Sequence, residues 1–145
     1  LLPKLWAGGW AEHAGEFYEV PRLEMTPPPP APIPIFVGGM SEAAHRRASR
    51  HDGWISDLIS TDEAASHIER IDDLRSEAGR TGDFDVIVSL NDAVTVDHFR
   101  RAAEVGVTEI LTMPWVYYGG FDQPLQQKLD GIHRFAAEVL QAFDT

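Results

Sequence analysis

The sequence predicts an α/β fold in which a strand is followed by a helix four times in succession. Four short apolar runs, beginning near residues 33, 54, 84 and 107, have the length and composition of buried strands. A turn follows each run, and apolar residues then recur at steps of three and four, the period of a helix. Strands that alternate with helices pair in parallel through right-handed crossovers, so a parallel sheet with helices packed on it is expected.

A lead-in segment over residues 1–32 precedes the first unit. It begins like the end of a helix that stops at a pair of glycines, and residues 13–20 suit an extended piece or a hairpin. The proline-rich stretch 27–32 cannot form a helix or an interior strand, so we expect a stiff polyproline II connector. Residues 33–145 then carry the four units, and the whole chain 1–145 is predicted to be one domain.

The first unit contains the stretch around which the other predictions are arranged. The run Pro34-Ile35-Phe36-Val37 predicts a strand, Gly38-Gly39 a tight turn, and Ser41 the N-cap of a helix that reaches about Arg50. Paired glycines allow a close approach to a ligand, and a capped helix start presents unpaired N–H groups at the positive end of the dipole. Such a turn suits a phosphate or another anion. The small side chains expected to face inward from this helix are Ala43, Ala44 and Ala48.

The other three units repeat the order of strand, turn and helix. The second unit has a strand at 54–56 and a helix opened by the capping box Ser60-Thr61-Asp62-Glu63. The third has a strand at 84–90 and a helix from Val96, and the fourth has a strand at 107–113 and a final helix from Leu125. Parallel sheets place ligands at the carboxyl ends of their strands, so the turns there should share one rim. The predicted rim consists of residues 38–41, 56–57, 90–92 and 113–118.

Composition limits the classes of function. Of the 145 residues, 43% are hydrophobic and 24% charged, the ordinary balance of a globular domain. A net charge of −11 with only 12 Lys and Arg argues against binding to nucleic acid or to an anionic membrane. The sequence has no cysteine, no apolar run near the length of a membrane span and no secretory leader, so we expect a cytoplasmic protein.

Familiar catalytic patterns are missing from the sequence. The six histidines follow no metal-ligand spacing, so we interpret them as surface or packing residues and predict no metal site. The G-x-S-x-G pattern of serine hydrolases is absent, and carboxylate pairs such as Asp72-Asp73 are interpreted as solvated. Trp115, Tyr117 and Tyr118 have two open interpretations: they line a flat apolar pocket, or they cover the mouth of the fold or meet a partner chain.

Five segments carry a resemblance to a known family. They are Leu5-Trp6-Ala7-Gly8, His13 to Tyr18, the proline-rich lead into Pro34 to Ala48, Asp52-Gly53-Trp54, and Gly106-Val107-Thr108. In this order they resemble the bacterial luciferase-like monooxygenase superfamily, and within it the flavin- or deazaflavin-dependent oxidoreductases. The resemblance runs over nearly the whole chain but matches only the C-terminal half of the family.

The resemblance implies a (β/α)8 barrel of which this chain supplies strands five to eight. It implies that the turn after the fifth strand contacts the cofactor phosphate through backbone N–H groups and the serine, which here are Gly38, Gly39, Met40 and Ser41. The cofactor would be FMN or a deazaflavin coenzyme, the substrate a small molecule, and no residue is identified as catalytic. The first four strands of the family, which carry much of the isoalloxazine pocket, have no counterpart in this chain.

Four strands cannot close a barrel, so the half-barrel would expose two sheet edges and its inner face. We therefore expect either a homo-oligomer or a chain whose N-terminal half-barrel is missing. The alternative function is a non-catalytic module, either a flavodoxin-like binder of phosphate ligands or a self-associating remnant.

Overall fold

The computed structural model describes residues 1–143 of the chain. These residues form two compact units, the first over Leu1–Pro34 and the second starting at Ile35. Residues 144 and 145, which the predicted domain and its last unit include, lie outside the described residues.

The first unit contains a short helix and a hairpin. Helix α1 covers Leu2–Trp6, and strands β1 (Trp10–Ala14) and β2 (Glu19–Glu24) pair in antiparallel orientation. Of the two structures predicted for residues 13–20, an extended piece or a hairpin, the hairpin is observed, although its strands extend beyond that range. Residues 27–32 form neither helix nor strand, as their prolines require.

The second unit is a parallel sheet with its helices. Its elements are β3 (Phe36–Gly38), α2 (Glu42–Ala48), β4 (Gly53–Ile59), α3 (Thr61–Glu77), β5 (Asp85–Leu90), α4 (Val96–Glu104), β6 (Glu109–Ile110), α5 (Val116–Gly119), α6 (Leu125–Glu138) and a 3-10 turn at Leu140–Ala142. The strand order is β3-β4-β5-β6, and every neighbouring pair is parallel. The predicted α/β class and parallel sheet are confirmed.

The two faces of this sheet are in different environments. Trp54, Val86 and Val88 are buried in the main core cluster on one face. Ile55 and Ile87 pair in register on the other face, where both are only half-buried. The apolar composition of these strands predicted burial on both faces, but within the described residues only one face is fully buried.

Two strands differ from the predicted length by more than one residue. β4 continues through residues 56–57 to Ile59, with an irregularity of pairing between Ile55 and Leu58. β6 has two residues instead of seven. Just before it, the Thr108 hydroxyl, rather than a backbone carbonyl, accepts a hydrogen bond from the N–H of Val86 at 2.8 Å. A side chain therefore replaces one bond of the ladder at the start of this strand.

The helices follow their local signals closely. The capping box at Ser60 and Glu63 is present, and α3 buries its apolar stripe as predicted. In α2, Ala44 and Ala48 are buried, but Ala43 is exposed and His45 takes a place in the interior. Residues four apart share a helix face, so the face that holds residues 44 and 48 turns residue 43 toward its flank.

Candidate functional site

The glycine turn after β3 lies exposed at the carboxyl end of its strand. Gly39 has a φ of 109°, in the region that favours glycine, and Ser41 is the N-cap of α2, its hydroxyl oxygen accepting a bond from the N–H of Ala44 at 3.2 Å. In the described part of the chain, the N–H groups of Met40 and Ser41 have no hydrogen-bond acceptor. The turn therefore offers two free donors in its backbone and a hydroxyl whose proton is still available.

Three consecutive residues at the start of β4 hold the neighbouring strand β3 in place. The carboxylate of Asp52 accepts a bond from the N–H of Ile35 at 2.8 Å, just before β3 begins. Gly53 leaves room for a ring, because a Cβ there would lie 2.2 Å from Cδ1 of Phe36. The signature Asp52-Gly53-Trp54 thus has a structural explanation at its first two positions.

Trp54 supplies the third contact, at the far end of β3. Its indole Nε1–H donates to the carbonyl oxygen of Gly39 at 2.8 Å, and its side chain is fully buried. His45 from α2 meets the indole edge to face at 6.1 Å between ring centroids, and His67 from α3 lies at 5.4 Å. The carbonyl of Gly39 in the turn is therefore hydrogen-bonded to the central ring of an aromatic cluster formed by Trp54, His45 and His67.

His45 is the buried histidine of this cluster. Burial lowers its pKa, and the positive charge that His67 and Arg70 can carry lowers it further, against the opposing charge of Glu42. Its Nε2 atom is buried without a hydrogen-bond partner. The ring is therefore neutral at pH 7, and its role is packing, as the sequence predicts for the histidines.

Two arginines meet at the first residue of α2, beside the turn. Glu42 accepts bonds from Arg70 Nη2 at 2.6 Å and from Arg46 Nε at 3.0 Å, and these bonds lower the pKa of Glu42 to about 2. Glu42 is therefore paired with two guanidinium groups, and the charges of Asp73 and Glu77 also act on Arg70. Sequence reasoning missed Arg70 because it lies on α3, 28 residues from Glu42.

The middle of the rim is formed by Asp92, which the prediction includes, and by Thr61, which it does not. Ser56 and Asp57 lie inside β4, so their predicted position after the strand is wrong. Asp92, which follows β5, accepts bonds from the N–H of Thr61 at 2.9 Å and from its hydroxyl at 3.0 Å. Burial raises the pKa of Asp92, but the bonds from Thr61 outweigh it, and the pKa lies below its usual value.

The aromatic segment follows β6, at the opposite edge of the sheet from the glycine turn. Tyr117 stacks on Phe135 at 5.7 Å, and the hydroxyl of Tyr118 donates to Glu138 at 3.1 Å, so both rings pack against α6. The tyrosines therefore contact a helix of their own chain, and the two interpretations left open by the sequence stay predictions.

An apolar groove of about 420 Å³ lies between α4, α6 and β6. Its lining includes Phe99, Ile110 and Phe135 and contains no charged side chain. The hydroxyls of Thr108 and Thr112 in its lining already bond to Val86 and Tyr117, so the glycine turn is the better candidate for an anion site even though it is not a deep cavity.

Within residues 1–143 the structure shows neither a cluster of metal ligands nor a membrane-spanning helix. Among residues 1–143, no three His, Cys, Asp or Glu side chains lie close enough together to hold a metal ion. No helix in the described residues is long and apolar enough to cross a membrane.

Comparison with known proteins gives a family and several relatives. The family described as luciferase-like monooxygenase matches residues 1–141, which confirms the resemblance predicted from the sequence. Uncharacterised proteins of Mycobacterium bovis and Mycobacterium tuberculosis are each 42% identical over 142 residues, which cover 97% of this chain and 49% of the relative. An F420-dependent glucose-6-phosphate dehydrogenase of Microbacterium testaceum is 29% identical over 102 residues, covering 68% of this chain and 30% of that protein. The chain spans about half the length of the mycobacterial relatives it matches.

Proposed function

The chain belongs to the luciferase-like monooxygenase family, and we propose that it is part of an oxidoreductase that uses a reduced flavin or deazaflavin cofactor. One relative is named as an F420-dependent dehydrogenase, which supports a cofactor of this class. The observation that carries the proposal is the exposed turn whose Met40 and Ser41 amides have no acceptor within the described residues. When bound, the cofactor ring would supply the hydride or oxygen chemistry.

The residues present fit a cofactor phosphate. The amides of Met40 and Ser41 and the Ser41 hydroxyl are donors, and Gly38 and Gly39 allow close approach because they lack side chains. FMN and F420 both carry a phosphate, so the same turn serves either cofactor, and both belong in the test.

The proposal extends to the architecture. We assign β3 to β6 to the last four strands of a luciferase-like barrel, with the half-buried face at Ile55 and Ile87 as its inner face. A chain of about half the length of its relatives is consistent with this assignment. The ring pocket and most contacts to a small-molecule substrate would then come from the other four strands, and a cytoplasmic location belongs to the same proposal.

Titration with FMN and with F420 tests the proposed site. Ser41→Ala removes the hydroxyl donor, and we expect affinity for the cofactor to fall about tenfold, the effect of one lost bond to a charged group. Ser60→Ala is the matched control, because it removes an N-cap of the same kind from α3 without touching the turn. Saturable binding that both variants retain in full would contradict the proposed site.

The open sheet face favours a second candidate, a non-catalytic module that associates through this face. Half-buried isoleucines on one side of a sheet are available for contact with another copy. A chain that binds neither FMN nor F420 at any concentration but associates tightly would support this candidate and contradict the first.

A further inference from the structure

We infer that Trp54 is a positioning residue, whose indole N–H turns the peptide between Gly39 and Met40 so that the Met40 amide faces the cofactor phosphate. The inference rests on the proposed function, because it assigns a role within the same site. Its new element is that the side chain of Trp54, on the neighbouring strand β4, sets the orientation of the Met40 amide.

The geometry of a single peptide group carries the argument. The Gly39 carbonyl accepts the bond from Trp54 Nε1 at 2.8 Å, so this oxygen points at a fully buried side chain. The peptide after Gly39 is trans, and in a trans peptide the N–H points opposite to the C=O. The N–H of Met40 is therefore directed away from the buried indole, toward the exposed side of the turn.

The indole is itself fixed, which makes it suited to hold the peptide. Its ring is completely buried between His45 of α2 and His67 of α3, and Trp54 pairs with Val37 and Val86 within the sheet. Gly39 has a positive φ and no side chain, so its own backbone is the least restricted part of the turn. The hydrogen bond from Trp54 therefore fixes the orientation of a peptide group that Gly39 itself does not restrict.

The test replaces the indole N–H by sulfur without changing the shape of the ring. β-(3-Benzothienyl)alanine at position 54 of the full chain retains the packing but cannot donate to Gly39. The same analogue at Trp115 is the matched control, since the Nε1 atom of Trp115 is buried without a partner and loses no bond. The probes are FMN and riboflavin, which differ by the phosphate.

We expect the analogue at position 54 to displace the backbone amide signal of Met40 in the NMR spectrum and to weaken FMN binding about tenfold. Binding of riboflavin should not change, because it lacks the phosphate. The analogue at position 115 should leave the Met40 signal unchanged.

Three results would overturn the inference. The first applies if the chain binds FMN more tightly than riboflavin, so that binding depends on the phosphate, and the analogue at position 54 leaves the FMN affinity unchanged. The proposed function would then still stand. The second is a Met40 amide signal that the analogue at position 54 does not move. This result would exclude the positioning role of Trp54 even if the wild-type chain binds no FMN and the proposed function fails. The third needs no variant: the Trp54 Nε1–H should exchange with solvent far more slowly than that of Trp10, which is 62% exposed, and equal rates would exclude the bond.

Discussion

Gly39 and Gly38 are neighbours with different demands on their backbone. Gly39 has a φ of 109°, and a Cβ there would lie 3.2 Å from the Cβ of Ala44, whereas a Cβ on Gly38 would make ordinary contacts at 3.7 Å with Ile55. Gly39→Ala should therefore lower the free energy of unfolding by about 1–3 kcal/mol. Gly38→Ala should have a smaller effect in the same urea titration. Equal losses would show that the turn is not strained at Gly39.

His45 gives the folded chain a pH dependence above the range of the carboxylates. Its pKa is lowered in the folded state by burial and by His67, so below about pH 6.5 the unfolded state binds a proton that the folded state does not. The free energy of unfolding should fall as the pH drops below about 6.5, with a slope of at most about 1.4 kcal/mol per unit.

A substitution separates this contribution from the rest. His45→Leu should flatten the slope below about pH 6.5, measured by urea unfolding at several pH values. His133→Leu, at an exposed histidine of α6, is the control. A slope that persists in His45→Leu would assign the effect to other groups, of which Glu42, His67 and Arg70 face the ring.

Asp92 ties the end of β5 to the start of α3. It accepts two hydrogen bonds from Thr61, one from an N–H at the helix start that has no intrahelical partner. Asp92→Ala should cost about 1–3 kcal/mol of unfolding free energy and should speed amide exchange at Thr61. Asp73→Ala, at an exposed position of the same helix, should change stability by less than about 0.5 kcal/mol. A similar small effect for Asp92→Ala would mean that water satisfies Thr61 equally well.

Elements specified by local signals were predicted best. The capping box and the apolar stripe of α3 all lie within one segment, so its bounds follow from the sequence alone. The ends of β4 and β6 depend instead on partners elsewhere. β4 continues to Ile59 through its pairing with β5, and just before β6 a side chain of Thr108 takes the bond from Val86 that a backbone carbonyl would accept in a regular ladder. A strand boundary is a property of two strands, which is why one apolar run does not reveal it.

The candidate site likewise has one part that local residues specify and another part that depends on residues distant in the sequence. The turn Gly38 to Ser41 could be found from its residues because glycines and a capping serine act on their own backbone. Its support could not, because Trp54 lies 15 residues from Gly39 and Arg70 lies 28 residues from Glu42. The resemblance marked Trp54 as part of a signature but gave no reason for it, and the hydrogen bond to Gly39 supplies one.

The sheet of the second unit has two outer strands and one open face. The outer strands β3 and β6 have three and two residues, and such short edges offer little backbone for pairing with another chain. The half-buried isoleucines of the open face are the more important exposed feature. Association of this chain should therefore proceed through the face of the sheet rather than through its edges.

Sedimentation equilibrium tests this expectation. We expect the isolated chain to form dimers or larger species at micromolar concentration, because apolar surface is buried when two open faces meet. Ile87→Lys should shift the equilibrium to monomers, whereas Leu125→Lys, at a position 72% exposed on α6, should not. A stable, well-dispersed wild-type monomer would count against association through this face.

The most direct test of the proposed phosphate site is an NMR titration that follows the Met40 and Ser41 amide signals. These two N–H groups have no acceptor within the described residues, so a bound phosphate should shift both signals strongly and saturably. FMN or F420 should produce this shift, and riboflavin, which has no phosphate, should not. Saturable binding of FMN or F420 that leaves both signals in place would contradict the account.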